Sequence, residues 1–421
     1  MRVTKVLRQL LGLHRDVVVS GFQLAAVGAG AERPRLVVGV RLRSRRRARC
    51  GRCGEVSPLY DRGGGERSWR HVDVGFATSE LVCGAPRVSC RLHGPTVAEL
   101  PFARHDSAFT RAFEDLVVYE AIASSKQRVA DHYGISWRAV NNACVRVATE
   151  ALGRIDLLCG LVAISIDEVK YKKGQRYLTV VCDHFTGKVI WAAKGRSKDT
   201  VGAFFDALGE QRAAKLNFVT CDGASWIRDV VAERAEGAVI CLDTFHLVSW
   251  ATDALDEVRR GEWNELRRSG EAKAAKSLKG LRFLLLRNWE NLTSAQKGTI
   301  RDLEHANKRL LRAWQLKEEL REVLKLPLLA AKHALDGWLA YASRSRLAPF
   351  VKLARTIRNY RASIEATIEW KITNGIAESN NAAIGRIRTN ARGFHDPEAF
   401  ITMIMLDRAG IAPELPWRAA S

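Results

Sequence analysis

A mixed α/β domain, interrupted by a long helical insertion and preceded by a small β-rich module and a helical pair, is the architecture the sequence predicts. Three observations carry this expectation. Between residues 153 and 260, short apolar runs alternate with amphipathic stretches, the pattern of strands covered by helices. From 261 to 370 the pattern is almost wholly helical and rich in Lys, Arg and Trp. The first hundred residues instead hold strand-like runs around a Cys-x-x-Cys pair.

Length and composition bound the class. A chain of 421 residues accommodates two or three domains of about 100–200 residues each. With 47% apolar and 27% charged residues it has the mixture of a folded chain rather than a disordered one. Its longest apolar stretches, such as Leu157–Ile166, fall short of the roughly 20 residues that span a bilayer. The first residues, MRVTKVLRQLLGLHRD, are interrupted by Arg8 and His14 and lack a small-residue cleavage site, so no signal peptide is read. Secretion and membrane insertion are not expected.

The net charge of +21 is unevenly spread. Through Tyr60 there are 13 basic and 3 acidic residues, and from Arg259 to Lys371 there are 25 and 12; the remainder is nearly neutral. Two basic regions flanking a neutral middle fit polyanion contacts around a site that itself holds negative side chains. Solvated helix faces would account for much of the second region. They do not account for the run from Arg41 to Arg49, where Arg45, Arg46 and Arg47 are consecutive. Nucleic acid is the expected partner.

Nine cysteines without an export signal argue against a disulfide framework. Cys144, Cys159, Cys182, Cys221 and Cys241 stand singly in apolar patterns and read as small buried hydrophobes. Cys50 and Cys53 form a Cys-x-x-Cys knuckle, and Cys90-Arg-Leu-His93 follows about 40 residues on. Together these supply the four ligands that tetrahedral Zn²⁺ requires, in a closed site that is structural rather than catalytic. Gly51 and Gly54 permit the tight turn. Two alternatives stand beside this: an incidental reduced pair, and Cys83 in place of one ligand. The runs Arg35–Arg43, Ser79–Cys83 and Pro86–Ser89 complete a β-rich module over 1–104.

The region 105–152 is helical, with Phe109, Phe113, Leu116 and Val117 at helical spacing. Within it, Ser125 to Asn142 reads as a helix-turn-helix. Val129 and Ala130 face inward, Gly134 makes the turn, and Ser136 caps a second helix exposing Arg138, Asn141, Asn142 and Arg146. Arg and Asn on such a face can reach guanine and adenine edges in the major groove. An ordinary helical hairpin is the plainer alternative.

From 153 to 260 the order is strand (Leu161–Asp167), strand (Gln175–Asp183), strand (Lys188–Lys194), helix (Lys198–Gln211), strand (Leu216–Asp222), helix, strand (Ala238–Asp243). Three antiparallel-type strands followed by helix, strand, helix and strand is the order of a ribonuclease-H-like fold. In that topology Asp167 and Asp222 fall at neighbouring parallel strands. The segment 261–370 then looks inserted, and 371–421 returns with Asn374-Gly-Ile-Ala-Glu378-Ser-Asn380-Asn381. On a helix, Glu378 and Asn381 share a face, and Arg386 and Arg388 extend from the same element.

Taken in order, Cys50-x-x-Cys53, the helix-turn-helix, Ile166-Asp167-Glu168, Cys221-Asp222-Gly-Ala-Ser-Trp226, Asp243-Thr-Phe-His246 and the Glu378 segment resemble a DDE-type insertion-sequence transposase of the ISL-three family. The resemblance covers nearly the whole chain, with Ser379 where glycine is usual and His93 where a second Cys-x-x-Cys is expected. It implies that Asp167, Asp222 and Glu378 are the catalytic acids. They would hold two Mg²⁺ (or Mn²⁺) ions per active site, with Asp167 bridging both. Asp243 and His246, with Asn381, are secondary candidates. It further implies binding to terminal inverted repeats and target DNA as a homodimer or higher oligomer, structural Zn²⁺, metal-dependent strand cleavage and strand transfer, and a bacterial, cytoplasmic, nucleoid-associated protein. An inactive or domesticated relative acting as a DNA-binding regulator, and a stand-alone metal-dependent nuclease, are the alternatives.

Overall fold

The computed structural model of this chain describes residues 3–25, 33–43, 46–174, 176–372 and 375–415. It divides into two compact units, Met1–Leu157 with Ile384–Ser421, and Leu158–Ala383. Arg45, Gln175 and Asn374, which the sequence reading singled out, lie outside the described residues.

The first unit opens with α1 (Val3–Leu10) and strands β1 (Val17–Ala25), β2 (Arg35–Leu42), β3 (Leu59–Asp61), β4 (Glu66–Val74), β5 (Ala77–Gly84), β6 (Arg87–Cys90) and β7 (Gly94–Val97). They form two sheets, one of order β1-β2-β5-β4 and one of order β3-β6-β7. Alternation sets the faces: Leu36, Val38 and Val40 of β2 are buried with Trp69, Leu81 and Phe102, while the residues between them are less so. Cys83 belongs to this apolar cluster, with its thiol donating to its neighbour Gly84's carbonyl.

Helices α2 (Arg111–Ala123), α3 (Lys126–Tyr133) and α4 (Trp137–Leu152) follow. Each starts at a hydroxyl cap: Thr110, Ser125 and Ser136 accept from the N–H groups of Phe113, Arg128 and Ala139. Gly134 ends α3 with φ +63°, a left-handed corner that glycine adopts without steric cost.

The second unit holds β8 (Ala163–Lys172), β9 (Arg176–Asp183), β10 (Val189–Lys194), α5 (Lys198–Leu208), α6 (Glu210–Ala213), β11 (Phe218–Cys221), α7 (Ser225–Arg234) and β12 (Val239–Leu242). The five-stranded sheet has order β10-β9-β8-β11-β12. β8, β9 and β10 pair antiparallel, and β8, β11 and β12 pair parallel. The expected apolar strand ending at Asp167 instead runs on to Lys172. Its parallel pairing with β11 does stop at Ile166, whereas the hairpin with β9 continues on the other edge.

The helical segment comprises α8 (Thr244–Arg268), α9 (Ala272–Gly280), α10 (Arg282–Leu286), α11 (Ser294–Ala306), α12 (Lys308–Val323), α13 (Leu328–Arg344), α14 (Ala348–Asn359) and α15 (Arg361–Trp370). It has its own apolar core, in which Trp314 and Trp338 are buried; Trp370 is exposed. The chain then returns to the sheet: buried Thr367 donates to the Leu242 carbonyl at 2.9 Å, and Tyr360 donates to the Gly223 carbonyl at 2.6 Å. A β-carbon on Gly223 would lie 2.1 Å from the Trp250 ring, so only glycine fits after Asp222. Last come α16 (Gly375–Asn390) and α17 (Pro397–Arg408). Among the described residues no helix is long and apolar enough to cross a membrane.

His71 joins the first sheet to α2, its Nδ1 2.8 Å from the Thr110 hydroxyl in buried surroundings. Burial, with Arg70 nearby, lowers its pKa to about 4. The neutral ring therefore contributes stability that is complete above pH ~6.5 and is lost as pH falls from there towards about 4. Acid titration of unfolding should show this as about 3 kcal/mol over that window. His71→Gln should flatten that part of the profile, whatever its effect at neutral pH.

Candidate functional site

Chemistry-bearing side chains gather in three places. The first is the knuckle beside β3, β6 and β7. The Gly54 N–H donates to the Cys50 carbonyl at 2.9 Å, and the Arg52 N–H points at the Cys50 sulfur at 3.4 Å. Gly54 has φ +74°, and a β-carbon on Gly51 would lie 2.7 Å from the Val97 carbonyl oxygen, so both glycines are needed for the turn. The sulfurs of Cys53 and Cys90 are 3.6 Å apart, and His93 Nδ1 lies 3.6 Å from Cys90 and 3.7 Å from Cys50. A tetrahedron with Zn–S bonds of about 2.3 Å and Zn–N of about 2.0–2.1 Å has edges of roughly 3.5–3.8 Å. The donor set fits that ion. Cys83 stands apart, in the other sheet's apolar core, so the alternative assignment of it as a ligand fails.

The second place is the α3–α4 pair. Arg138 and Asn142 are exposed. Two neighbours expected on the same face hold internal partners instead. Arg146 pairs with buried Glu114 at 2.5 Å, and the Asn141 side-chain oxygen accepts from buried Lys126 at 2.7 Å. A carboxylate and an ammonium enclosed in this bundle need compensation, and that need is invisible in helical periodicity. The same holds for Arg46: it is half-buried, reaches the Glu99 carboxylate and carbonyl at 3.0 and 2.7 Å, and so fastens its own loop. Arg47 is exposed. Arg386 is exposed and Arg388 half-buried on α16.

The third place is the end of the parallel strands in the second unit. Ile166 of β8 pairs with Cys221 of β11, and Cys221 with Leu242 of β12. The next residue on each strand is an aspartate: Asp167, Asp222 and Asp243. Asp167 is held on both oxygens, accepting the Glu168 N–H at 2.7 Å and the Asn381 amide at 2.6 Å. Its pKa is raised by burial and by the Asp222 charge, against the pull of those bonds and of His246. Asp222 caps its own turn by accepting from Ala224 N–H at 3.0 Å. Asp243 is buried and serves as the cap of α8, accepting from Phe245 N–H, with His246 3.7 Å away.

Glu168 belongs to this group although sequence reasoning assigned it no role. Burial and Asp222 raise its pKa to about 7; Arg196 pairs with it, yet its Oε1 is buried without a hydrogen-bond partner. Its position directly after Asp167, inside a strand, was the available signal. Glu378 lies in the first turn of α16 and is exposed. It precedes Asn381, the residue bonded to Asp167, by one turn. Buried Asn380 anchors the same turn, donating to the Gly187 carbonyl at 3.0 Å. The donor atoms of Cys50, Cys53, Cys90 and His93 all lie within 4.8 Å of one another. Among the described residues Asp167, Asp222 and Glu378 do not form so tight a group.

Comparison with known proteins places these sites in a common frame. A family model described as a transposase, of the DDE type named for ISL3, matches residues 164–404. A helix-turn-helix domain of transposase family ISL3 matches 98–148, and a zinc finger of the IS204/IS1001/IS1096/IS1165 transposases matches 46–93. The chain is 42% identical to the transposase for insertion sequence element IS1557 of Mycobacterium tuberculosis, over 99% of this chain and 98% of that protein. It is 30% identical to the transposase for insertion sequence element IS1001 of Bordetella parapertussis, over 67% of this chain and 69% of that one. With zinc-ribbon, helix-turn-helix and DDE domains in that order, the chain belongs to the ISL3 family of insertion-sequence transposases.

Proposed function

We propose that this transposase binds the terminal inverted repeats of its element and cuts and joins DNA with Asp167, Asp222 and Glu378 as its catalytic acids. The observation that carries the reading is the register of β8 and β11, which sets Asp167 and Asp222 one step beyond a paired row. The order β10-β9-β8-β11-β12, with three strands antiparallel and two parallel to the first, supports a ribonuclease-H-like fold for this part. Glu378 sits one helical turn before Asn381, about 5–6 Å between β-carbons at that spacing, and Asn381 is bonded to Asp167.

The donor set is chemically suited to Mg²⁺ or Mn²⁺, which take carboxylate oxygens. Adjacent Asp167 and Asp222 raise the cost of ionisation, and the buried, unpartnered oxygen of Glu168 lies in the same acidic environment. Asp167, Asp222 and Glu378 would hold such ions, which would supply activation of the attacking water or 3′-hydroxyl and stabilisation of the leaving oxygen. The chain's own residues do the positioning. Asn381 and the Glu168 N–H fix the Asp167 carboxylate while leaving it unused lone pairs. Thr367 and Tyr360 hold the returning helix to β12 and to the Asp222–Gly223 turn.

The remaining assignments follow the same division of labour: 1–104 as a basic zinc-finger module with structural zinc on Cys50, Cys53, Cys90 and His93, 105–152 as the sequence reader, and 153–260 with 371–421 as the catalytic domain around the insertion 261–370, although by packing α8 from Thr244 belongs to the helical core and Ile384–Ser421 to the first compact unit. Arg138 and Asn142 are the base-contacting candidates, and Arg47 and Arg386 the backbone contacts. Joining two element ends requires both in one complex, so at least a dimer forms on DNA. The protein acts in the bacterial cytoplasm, on the nucleoid.

Purified protein should contain about one zinc per chain by metal analysis, with Cys50→Ser losing most of it; metal-free wild type after mild preparation would exclude the site. Arg138→Ala or Asn142→Ala should weaken binding to terminal-repeat DNA about ten- to hundredfold and to random DNA much less. Equal losses on both would mean only phosphate contacts. Glu378→Gln, Asp167→Asn and Asp222→Asn should each lower cleavage and joining at least about a thousandfold while terminal-repeat binding persists. An active Glu378→Gln protein would end the triad assignment.

A further inference from the structure

The inserted helical segment contains an arginine cleft. Arg312 of α12, Tyr341 and Arg344 of α13, and Arg346 of the corner before α14 line an open cavity of about 590 Å³, and no carboxylate is among its walls. Some arginines of this segment are ion-paired, Arg259 with Asp256, Arg321 with Glu290 and Glu318, Arg361 with Asp336 and Glu365; what sets the cleft apart is that three arginines line one cavity. Among the described residues, the three cleft arginines have no such partner. Two of them are directed by neutral backbone. Arg312 donates to the Ser345 carbonyl at 2.9 Å, and Arg344 to the Ala340 carbonyl at 3.2 Å.

The corner itself is built at a conformational cost. α13 ends with Ser345 in the right-handed region and Arg346 at φ +59°, the left-handed position where glycine is the common residue, as Gly134 is after α3. Ser345 is buried and locks the corner, its hydroxyl donating to the Ala342 carbonyl and accepting the Leu347 N–H. A helix C-terminus favours a nearby cation, which accounts for one charge at such a corner, as at Lys371 after α15. It does not account for two further guanidiniums converging on the same cleft, where they repel one another. A polyanion supplies what is missing, because guanidinium groups match phosphate oxygens in charge and in donor geometry.

We propose that the cleft of Arg312, Arg344 and Arg346 binds the phosphodiester backbone of duplex DNA, in a sequence-independent manner. The proposal rests on the transposase reading above for its choice of polyanion, and extends it to a second contact remote in sequence from the helix-turn-helix. Phosphate contacts position DNA without reading bases, so the cleft should affect affinity and salt dependence equally on terminal-repeat and random duplexes.

The test uses the full-length protein, fluorescence anisotropy with both duplexes, and a salt titration. Arg344→Gln with Arg346→Gln should weaken binding to both by a similar factor. It should also reduce the slope of log affinity against log salt by about two, since each lost phosphate contact removes about 0.9. Lys273→Gln with Lys276→Gln, an equal loss of charge on exposed positions of α9, should change the slope by less than half as much. Arg346→Gly separates structure from contact: it should raise the thermal midpoint, by relieving the left-handed arginine, and still weaken DNA binding. Cleft variants that keep wild-type affinity and slope would overturn the cleft, as would equal effects from the α9 pair. If wild type still binds and cuts terminal DNA in those cases, the transposase reading stands. A wild type that binds neither duplex would overturn both.

Discussion

Three parallel strands in a single register govern the second unit. With Ile166, Cys221 and Leu242 in one paired row, whatever follows each strand is forced into a common neighbourhood, and here all three following residues are aspartates. The close approach of Gly223 to Trp250 and the bonds from Tyr360 to the Gly223 carbonyl and from Thr367 to the Leu242 carbonyl are local consequences of packing helices against that edge. So is the seating of α16: Asn381 joins Asp167 across 214 residues of sequence.

Neighbouring carboxylates in partly buried surroundings oppose the fold unless something compensates them. The three aspartates are treated differently. Asp243 is absorbed as the cap of α8, Asp222 spends one oxygen on its own turn, and Asp167 receives a backbone and an amide donor. Glu168 is the least compensated, retaining a buried oxygen with no donor despite Arg196. In the first unit the balance is struck internally: Arg104 alone engages Glu114, Asp115 and Glu150. An internally paired charge set of that kind specifies packing, whereas an incompletely compensated set is suited to charged ligands.

The zinc-ribbon region illustrates a different constraint. The apolar cluster beneath its sheet contains Cys50, Val88, Cys90 and Ala98, too few side chains to hold three short strands by burial alone. Two of its four buried residues are themselves donors in the Cys/His group. The candidate metal donors and the core packing therefore draw on the same side chains.

Periodicity and motif order determined much by themselves. The strand and helix order of the second unit, the caps at Ser125 and Ser136, the turn at Gly134 and the Cys50–Cys53 knuckle all depend on neighbours within a few residues, and local chemistry is what a sequence displays. The tertiary structure decided what depends on distant partners. Arg146, Asn141 and Arg46 read as exposed polar positions, and each is taken up by a residue far along the chain. Cys83, near enough in sequence to be a ligand, is carried by the alternation of β5 into a different core. Asp167 lies inside β8 rather than at its end, because its two neighbouring strands have different lengths. Glu168 joins the acidic group for the same reason. A sequence shows which residues alternate or recur, but the burial of a charge, and the partner that compensates it, exist only once separated segments are packed together.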